Sequence, residues 1–181
     1  MKNEITGMRL RLIVMNFLQF AVWGAYLTSM GTYLFNIGLG AKIGLFYAMQ
    51  GIVSLFMPAI MGIIADRWVP AQKLYGFCHF MAAVFMVAAG WYGYVDGEAV
   101  NFGTLFTFYS LSVAFYMPTL ALTNSVAYTA LDKVKLDPVI AFPPIRIFGT
   151  IGFICSMLLT DILGFQNNYM QFFSCACFGV I

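Results

Sequence analysis

The chain has 181 residues, of which 62% are apolar (AVILMFWYC) and only 9% charged (DEKR), with a formal net charge of +2. That charged share is far below the roughly 25% of soluble domains, and so small a positive balance excludes the electrostatic footprint of a nucleic-acid binder. The four cysteines, Cys78, Cys155, Cys175 and Cys177, all sit within apolar runs. They read as small buried hydrophobes, not as a disulfide framework or a metal site.

Uncharged stretches follow one another along the chain, at 12–41, 43–65, 74–95, 99–131, 147–160 and 162–181. Each approaches or exceeds the roughly 20 residues a membrane helix needs. Backbone groups in lipid must pair internally, so only helices or a closed barrel can span. The runs are continuous rather than alternating, which selects helices. The reading is therefore an all-α, polytopic membrane bundle with spans at about 12–34, 43–65, 74–95, 103–129, 137–160 and 166–181. The first span is too long for a signal-peptide core and no Ala-x-Ala site follows it. The last closes on Phe178-Gly179-Val180-Ile181 without a charge or interface anchor, so the sixth helix is expected to be cut short. Lys2, Arg9, Arg11, Arg67, Lys73, Lys133 and Lys135 fall in one set of loops, whereas Lys42, Asp96, Glu98 and Asp161 fall in the other. The positive-inside rule then sets the N-terminus in the cytoplasm.

Polar groups at membrane depth are costly, and that makes them functional candidates. In helix one, Gln19, Trp23 and Tyr26 share a face at i, i+4 and i+7, which can line a cavity or bond to neighbouring helices. Helix two carries Gln50 and Pro58 and ends in Gly62-Ile63-Ile64-Ala65-Asp66-Arg67. There the glycine permits close helix approach, and Asp66 can pair with basic groups or with a helix N-terminus. His79, near the start of helix three, reads as a packed or interfacial histidine. Helix four is the most polar. Tyr116 and Thr123 share one face, Asn124 and Tyr128 another, and Pro118 is expected to kink the helix and free a carbonyl.

Helix five holds the strongest candidate, Arg146. Its depth depends on where the helix begins. A start near Asp137 sets Arg146 about 14 Å in, near the midplane; a start at Pro143 lets the guanidinium snorkel to the interface. Arg146, Thr150 and Phe153 lie at i, i+4 and i+7 and present a donor fork, a hydroxyl and a ring along one line. Gly149 and Gly152 on another side allow close helix packing. No Asp pair, Ser–His arrangement or metal cluster lies at depth, so neither an enzyme nor a cofactor is expected.

Gly62 to Arg67 resembles the loop 2–3 signature of the major facilitator superfamily, Gly-x-x-x-Asp-Arg/Lys, although Trp68-Val69-Pro70 departs from its downstream part. A closer resemblance spans nearly the whole chain. Phe17-Leu18-Gln19-Phe20-Ala21-Val22-Trp23-Gly24, Phe56-Met57-Pro58-Ala59, Tyr116-Met117-Pro118-Thr119-Leu120 and Phe142-Pro143-Pro144-Ile145-Arg146-Ile147-Phe148-Gly149-Thr150-Ile151-Gly152-Phe153 occur in order and at suitable spacing. They are similar to helices one, two, four and five of the nucleoside:proton symporter family. The resemblance implies that residues 1–181 are the N-terminal six-helix half of a twelve-helix, proton-coupled nucleoside importer of a bacterial inner membrane. Its partners would be a nucleoside, a proton, the bilayer and a C-terminal half. It implies substrate contacts for Arg146, Thr150 and Phe153, with Gln19, Trp23 and Tyr116 as further contacts. Gly62, Asp66, Arg67 and Pro118 would serve gating or structure. A transporter of another polar solute, such as a sugar, and a membrane scaffold without a transport cycle are the competing readings.

Overall fold

The computed structural model describes residues 2–181, with side chains from Glu4 onward except Glu98. Lys2 and Glu98, two of the loop charges named above, thus have side chains outside the described residues. Seven α-helices follow in order: α1 (Lys2–Gly24), α2 (Met30–Asn36), α3 (Ile43–Arg67), α4 (Ala71–Asp96), α5 (Phe102–Lys133), α6 (Pro138–Ile162) and α7 (Met170–Val180). Short 3₁₀ turns at Gly40–Lys42, Gly97–Ala99 and Phe165–Asn167 join some of them. Five segments are long and apolar enough to cross a membrane: Glu4–Gly24, Gly40–Arg67, Ala71–Asp96, Phe102–Lys133 and Pro138–Ile162.

The first span differs from the sequence expectation at both ends. It begins at Lys2, about ten residues earlier, with Glu4 in its first turn where a carboxylate complements the helix dipole. It is also broken. Gly24 ends α1, residues 25–29 form turns, and Met30 starts α2. Two carbonyls released there, and the Ser29 hydroxyl, are met by side chains from three other helices. Tyr47 on α3 donates to the Leu27 carbonyl at 2.7 Å, and Thr160 on α6 donates to the Ala25 carbonyl at 3.2 Å. Ser29 donates to Gln171 on α7 at 3.0 Å. A break at membrane depth needs such partners, since lipid offers none.

Lipid also gives no hydrophobic drive for one helix to join another, so close packing and interhelical hydrogen bonds hold the bundle. The crossing of α1 over α6 is the clearest case. A Cβ placed at Gly152 would strike the Phe17 carbonyl, and one at Gly24 would strike the Phe153 carbonyl and Ser156 Oγ. Both helices approach backbone to backbone only because these positions carry hydrogen, which bears out the packing role read for Gly152. Helices α4 and α5 are tied by Ser112 Oγ donating to the Ala82 carbonyl at 2.8 Å. Tyr109 on α5 donates to Gln50 on α3 at 3.1 Å, which gives Gln50 a structural partner. Gly90 and Gly93 on α4 leave room for Phe172, Phe173 and Tyr169 beside them.

Helix α6 begins at Pro138, with the Asp137 side chain accepting the Val139 N–H at 2.9 Å. A capping aspartate followed by proline at the first helical position is a strong start signal. Pro143 and Pro144 therefore lie inside the helix, and Arg146 sits about 12 Å along it at 1.5 Å per residue. Two expectations need correction. Cys78 and Cys175 are buried, but Cys155 and Cys177 are exposed on outer helix faces, because an apolar run in a membrane bundle need not point inward. Among the described residues nothing lies within 4 Å of a Cβ placed at Gly62, so this chain does not itself supply the close helix approach expected there.

Candidate functional site: an arginine wall and a buried glutamine hub

The sequence-predicted residues divide into two groups with different surroundings. Arg146, Thr150, Phe153 and Trp23 come together on an open wall shared by α6 and α1. Arg146, Phe153 and Trp23 are half-buried and Thr150 is exposed. Phe20, which sequence reasoning did not single out as a site residue, completes the group. Its ring lies under the Arg146 guanidinium, 3.9 Å from Cζ to the ring centroid. Phe20 and Trp23 are 6.3 Å apart by ring centroid, and Trp23 meets Phe153 edge-on at 6.3 Å and 83°. Arg146, Phe20, Trp23 and Phe153 thus form a continuous row of contacts across the two helices.

Among the described residues, Arg146 has no hydrogen-bond acceptor and no carboxylate partner. A guanidinium carries five N–H donors in one plane. Burying part of it without acceptors is costly, so the arrangement suits a polar ligand arriving from the open side. The Trp23 Nε1–H is likewise buried without a partner.

Gln19 and Tyr116 sit elsewhere. Gln19 is fully buried, at 0% exposure, and Tyr116 is at 2%. The Tyr116 hydroxyl donates to the Gln19 backbone carbonyl at 2.5 Å. The Gln19 amide Nε2 donates to Thr119 Oγ1 at 2.8 Å. Its Oε1 accepts from the Tyr75 hydroxyl at 2.8 Å and meets His79 Nε2 at 2.8 Å and Thr123 Oγ1 at 3.0 Å.

The chemistry fixes the directions. Thr119 spends its only proton on the Tyr116 carbonyl at 2.6 Å, so it must accept from Gln19. That turns Gln19 Oε1 toward Tyr75 and His79, and His79 must then carry its proton on Nε2. Thr123 has one proton for two acceptors, Gln19 Oε1 and the Thr119 carbonyl at 2.7 Å. The result is a satisfied polar hub joining α1, α4 and α5 that holds Gln19 and Tyr116, with Tyr116 still near enough to Arg146 to interact with it electrostatically. Tyr26 is also buried, packed against Tyr109. Asn124 and Tyr128 are exposed, and the Tyr128 ring rests on Phe142 at 5.1 Å. The sequence signal for the hub was weak, because its members lie about one hundred residues apart and only the fold joins them.

A groove of about 570 Å³ lies on another side of the bundle, between α1, α4 and the end of α7, with Gln19, Tyr75 and His79 at its floor. It is largely apolar and separate from the arginine wall. At the basic end of the bundle, Arg11, Lys133 and Lys135 border a second cavity of about 650 Å³. Asp66 and Arg67 are exposed at the end of α3, and Pro118 is buried within α5.

Membrane-length helices and an open wall with a guanidinium unpaired among the described residues mark a polytopic membrane protein, and its structural match to a solved transporter gives it the major facilitator fold. The fold overlays on the crystal structure of the nucleoside transporter NupG with a TM-score of 0.86 at 37% identity, covering 95% of this chain and 41% of that one. A variant of the same transporter gives a TM-score of 0.88 at 37% identity. The chain belongs to the nucleoside H+ symporter family, whose model matches residues 6–181. It is 40% identical to the xanthosine permease of Escherichia coli (strain K12) over 166 residues, 91% of this chain and 38% of that protein. It is 38% identical to the nucleoside permease NupG of the same organism over 178 residues, 97% of this chain and 41% of that protein. The chain thus spans about two fifths of the length of these relatives.

Proposed function

We propose that this chain is the N-terminal half of a proton-coupled nucleoside importer, working by alternating access with a second six-helix half. The observation that carries the reading is the Arg146 guanidinium. It is half-buried, unpaired among the described residues and flanked by aromatic rings on an open wall. A nucleoside matches that wall chemically. Its base and ribose oxygens accept hydrogen bonds from Arg146, and its flat base covers the Phe153 ring. Thr150, between the two, can donate or accept. Because the ligand is neutral, Arg146 serves as a hydrogen-bond donor and not as a counter-charge. Uphill uptake of a neutral solute then needs a coupled ion, and the family description names the proton.

The second half would face this wall and enclose the ligand near the bilayer midplane, where transporter sites form between structural repeats. Discontinuous helices recur at such sites, and the α1–α2 break fits that pattern. Gln19 and Tyr116 support the wall from behind through the hub. The basic loops support a cytoplasmic N-terminus, and the bacterial relatives support the inner membrane as the setting.

The test is equilibrium binding of labelled adenosine and uridine to the complete protein. We expect Arg146→Ala to weaken binding at least tenfold, with excess glucose failing to compete against the unsubstituted protein. Unchanged binding by a folded Arg146→Ala protein would remove the arginine from the site. Competition by glucose would favour the sugar reading.

A further inference from the structure

We propose that Phe20 is the positioning residue of Arg146: its ring sets the plane of the guanidinium so that the N–H edge faces the ligand. This rests on the reading of Arg146 as a nucleoside-binding group.

The argument begins with what a stack does to a guanidinium. Its five donors all point outward in the plane, whereas an aromatic ring attracts the cation through its face. A carboxylate partner would fix the group too, but by occupying two of those donors. The Phe20 ring, 3.9 Å from Cζ to its centroid, supplies a face against which the guanidinium can lie with its donor edge free. Gly149 makes this possible. A Cβ there would lie 2.6 Å from Phe20 Cδ2 and 2.8 Å from Arg146 Nη1, in the slot where ring and guanidinium meet. The ring itself is held on α1. Trp23 lies beside it, 6.3 Å away between ring centroids, and the adjoining Gln19 is anchored to α4 and α5 by the hub.

The experiment measures binding of labelled adenosine and uridine by the complete protein carrying Phe20→Leu, Phe20→Tyr, Arg146→Ala or Phe20→Leu with Arg146→Ala. Ligand-free unfolding midpoints are recorded for each. Leucine keeps an apolar side chain but has no ring face, whereas tyrosine retains one. Phe20→Leu should weaken binding about tenfold, Phe20→Tyr should restore it to within about twofold, and Phe20→Leu should add no loss once Arg146 is alanine. Equal loss from Phe20→Leu in both backgrounds would overturn the proposal, since Phe20 would then act independently of Arg146. Full binding by Phe20→Leu beside weakened binding by Arg146→Ala would overturn it too. If Arg146→Ala binds normally, the nucleoside reading of the arginine fails, and the ligand-free midpoints decide the stack. Non-additive losses would keep Phe20 as the partner of Arg146, and additive losses would remove it.

Discussion

A single amide sits at the centre of the packed half of this molecule. Gln19 receives or gives hydrogen bonds to Thr119, Tyr75, His79 and Thr123, while its backbone carbonyl takes the Tyr116 hydroxyl. Removing the side chain strands buried donors, and each costs about 1–3 kcal/mol when left unpaired. In bilayer proteins the net loss is often smaller, because the unfolded reference state also finds partners. Gln19→Leu should lower the unfolding midpoint in detergent and reduce the amount of folded protein. Arg146→Ala should lower the midpoint less, since among the described residues that side chain makes no hydrogen bond and loses only its contact with the Phe20 ring. If the two substitutions shifted the midpoint equally, the separation of hub from wall would be wrong. The sequence offered Gln19, Trp23 and Tyr26 as one face. In the structure that face divides, because Gln19 and Tyr26 turn into the bundle while Trp23 reaches the wall. Helical periodicity names the residues that share a face, but their neighbours come from other helices and are invisible to it.

At the scale of elements, the crossing of α1 over α6 sets the wall. Its contact points are backbone against backbone, at Gly152 over the Phe17 carbonyl and at Gly24 over the Phe153 carbonyl. Neither carbonyl can move as a side chain would, so an added methyl must push the helices apart. Overpacking of this kind costs about 1–3 kcal/mol. Gly152→Ala should therefore lower the unfolding midpoint, and nucleoside binding should weaken with it as Phe153 is displaced. Gly7→Ala, at a position with nothing within 4 Å, should be tolerated or stabilise α1 slightly. Equal tolerance at both sites would mean that the crossing is looser than described.

The all-helical membrane class and the glycine packing face were legible because each rests on local signals, apolar length and small residues spaced along one side, whereas the start of α6 stayed open between Asp137 and Pro143 until the Asp137 cap was seen. The break after Gly24 was not legible. Its cause is tertiary, since Tyr47, Thr160 and Gln171 must arrive from α3, α6 and α7 to partner the opened turn. The early start of α1 was missed for a different reason. Arg9 and Arg11 ended the uncharged run at residue 12, yet the helix continues through them to Lys2.

At the scale of the whole chain the open face is the arginine wall. The Arg146 side is open within this chain, and the chain covers about two fifths of the length of its relatives. The second half would turn that wall into a cavity with two gates, and alternating exposure would carry the nucleoside across. The central claim is that proton entry drives nucleoside uptake through a site containing Arg146. It is tested most directly by uptake of labelled nucleoside into liposomes bearing the complete protein, with and without an inward proton gradient, for the unsubstituted protein and for Arg146→Ala. The account predicts accumulation that depends on the gradient and falls at least tenfold in the folded Arg146→Ala protein. Gradient-independent uptake, or full accumulation by Arg146→Ala, would contradict it.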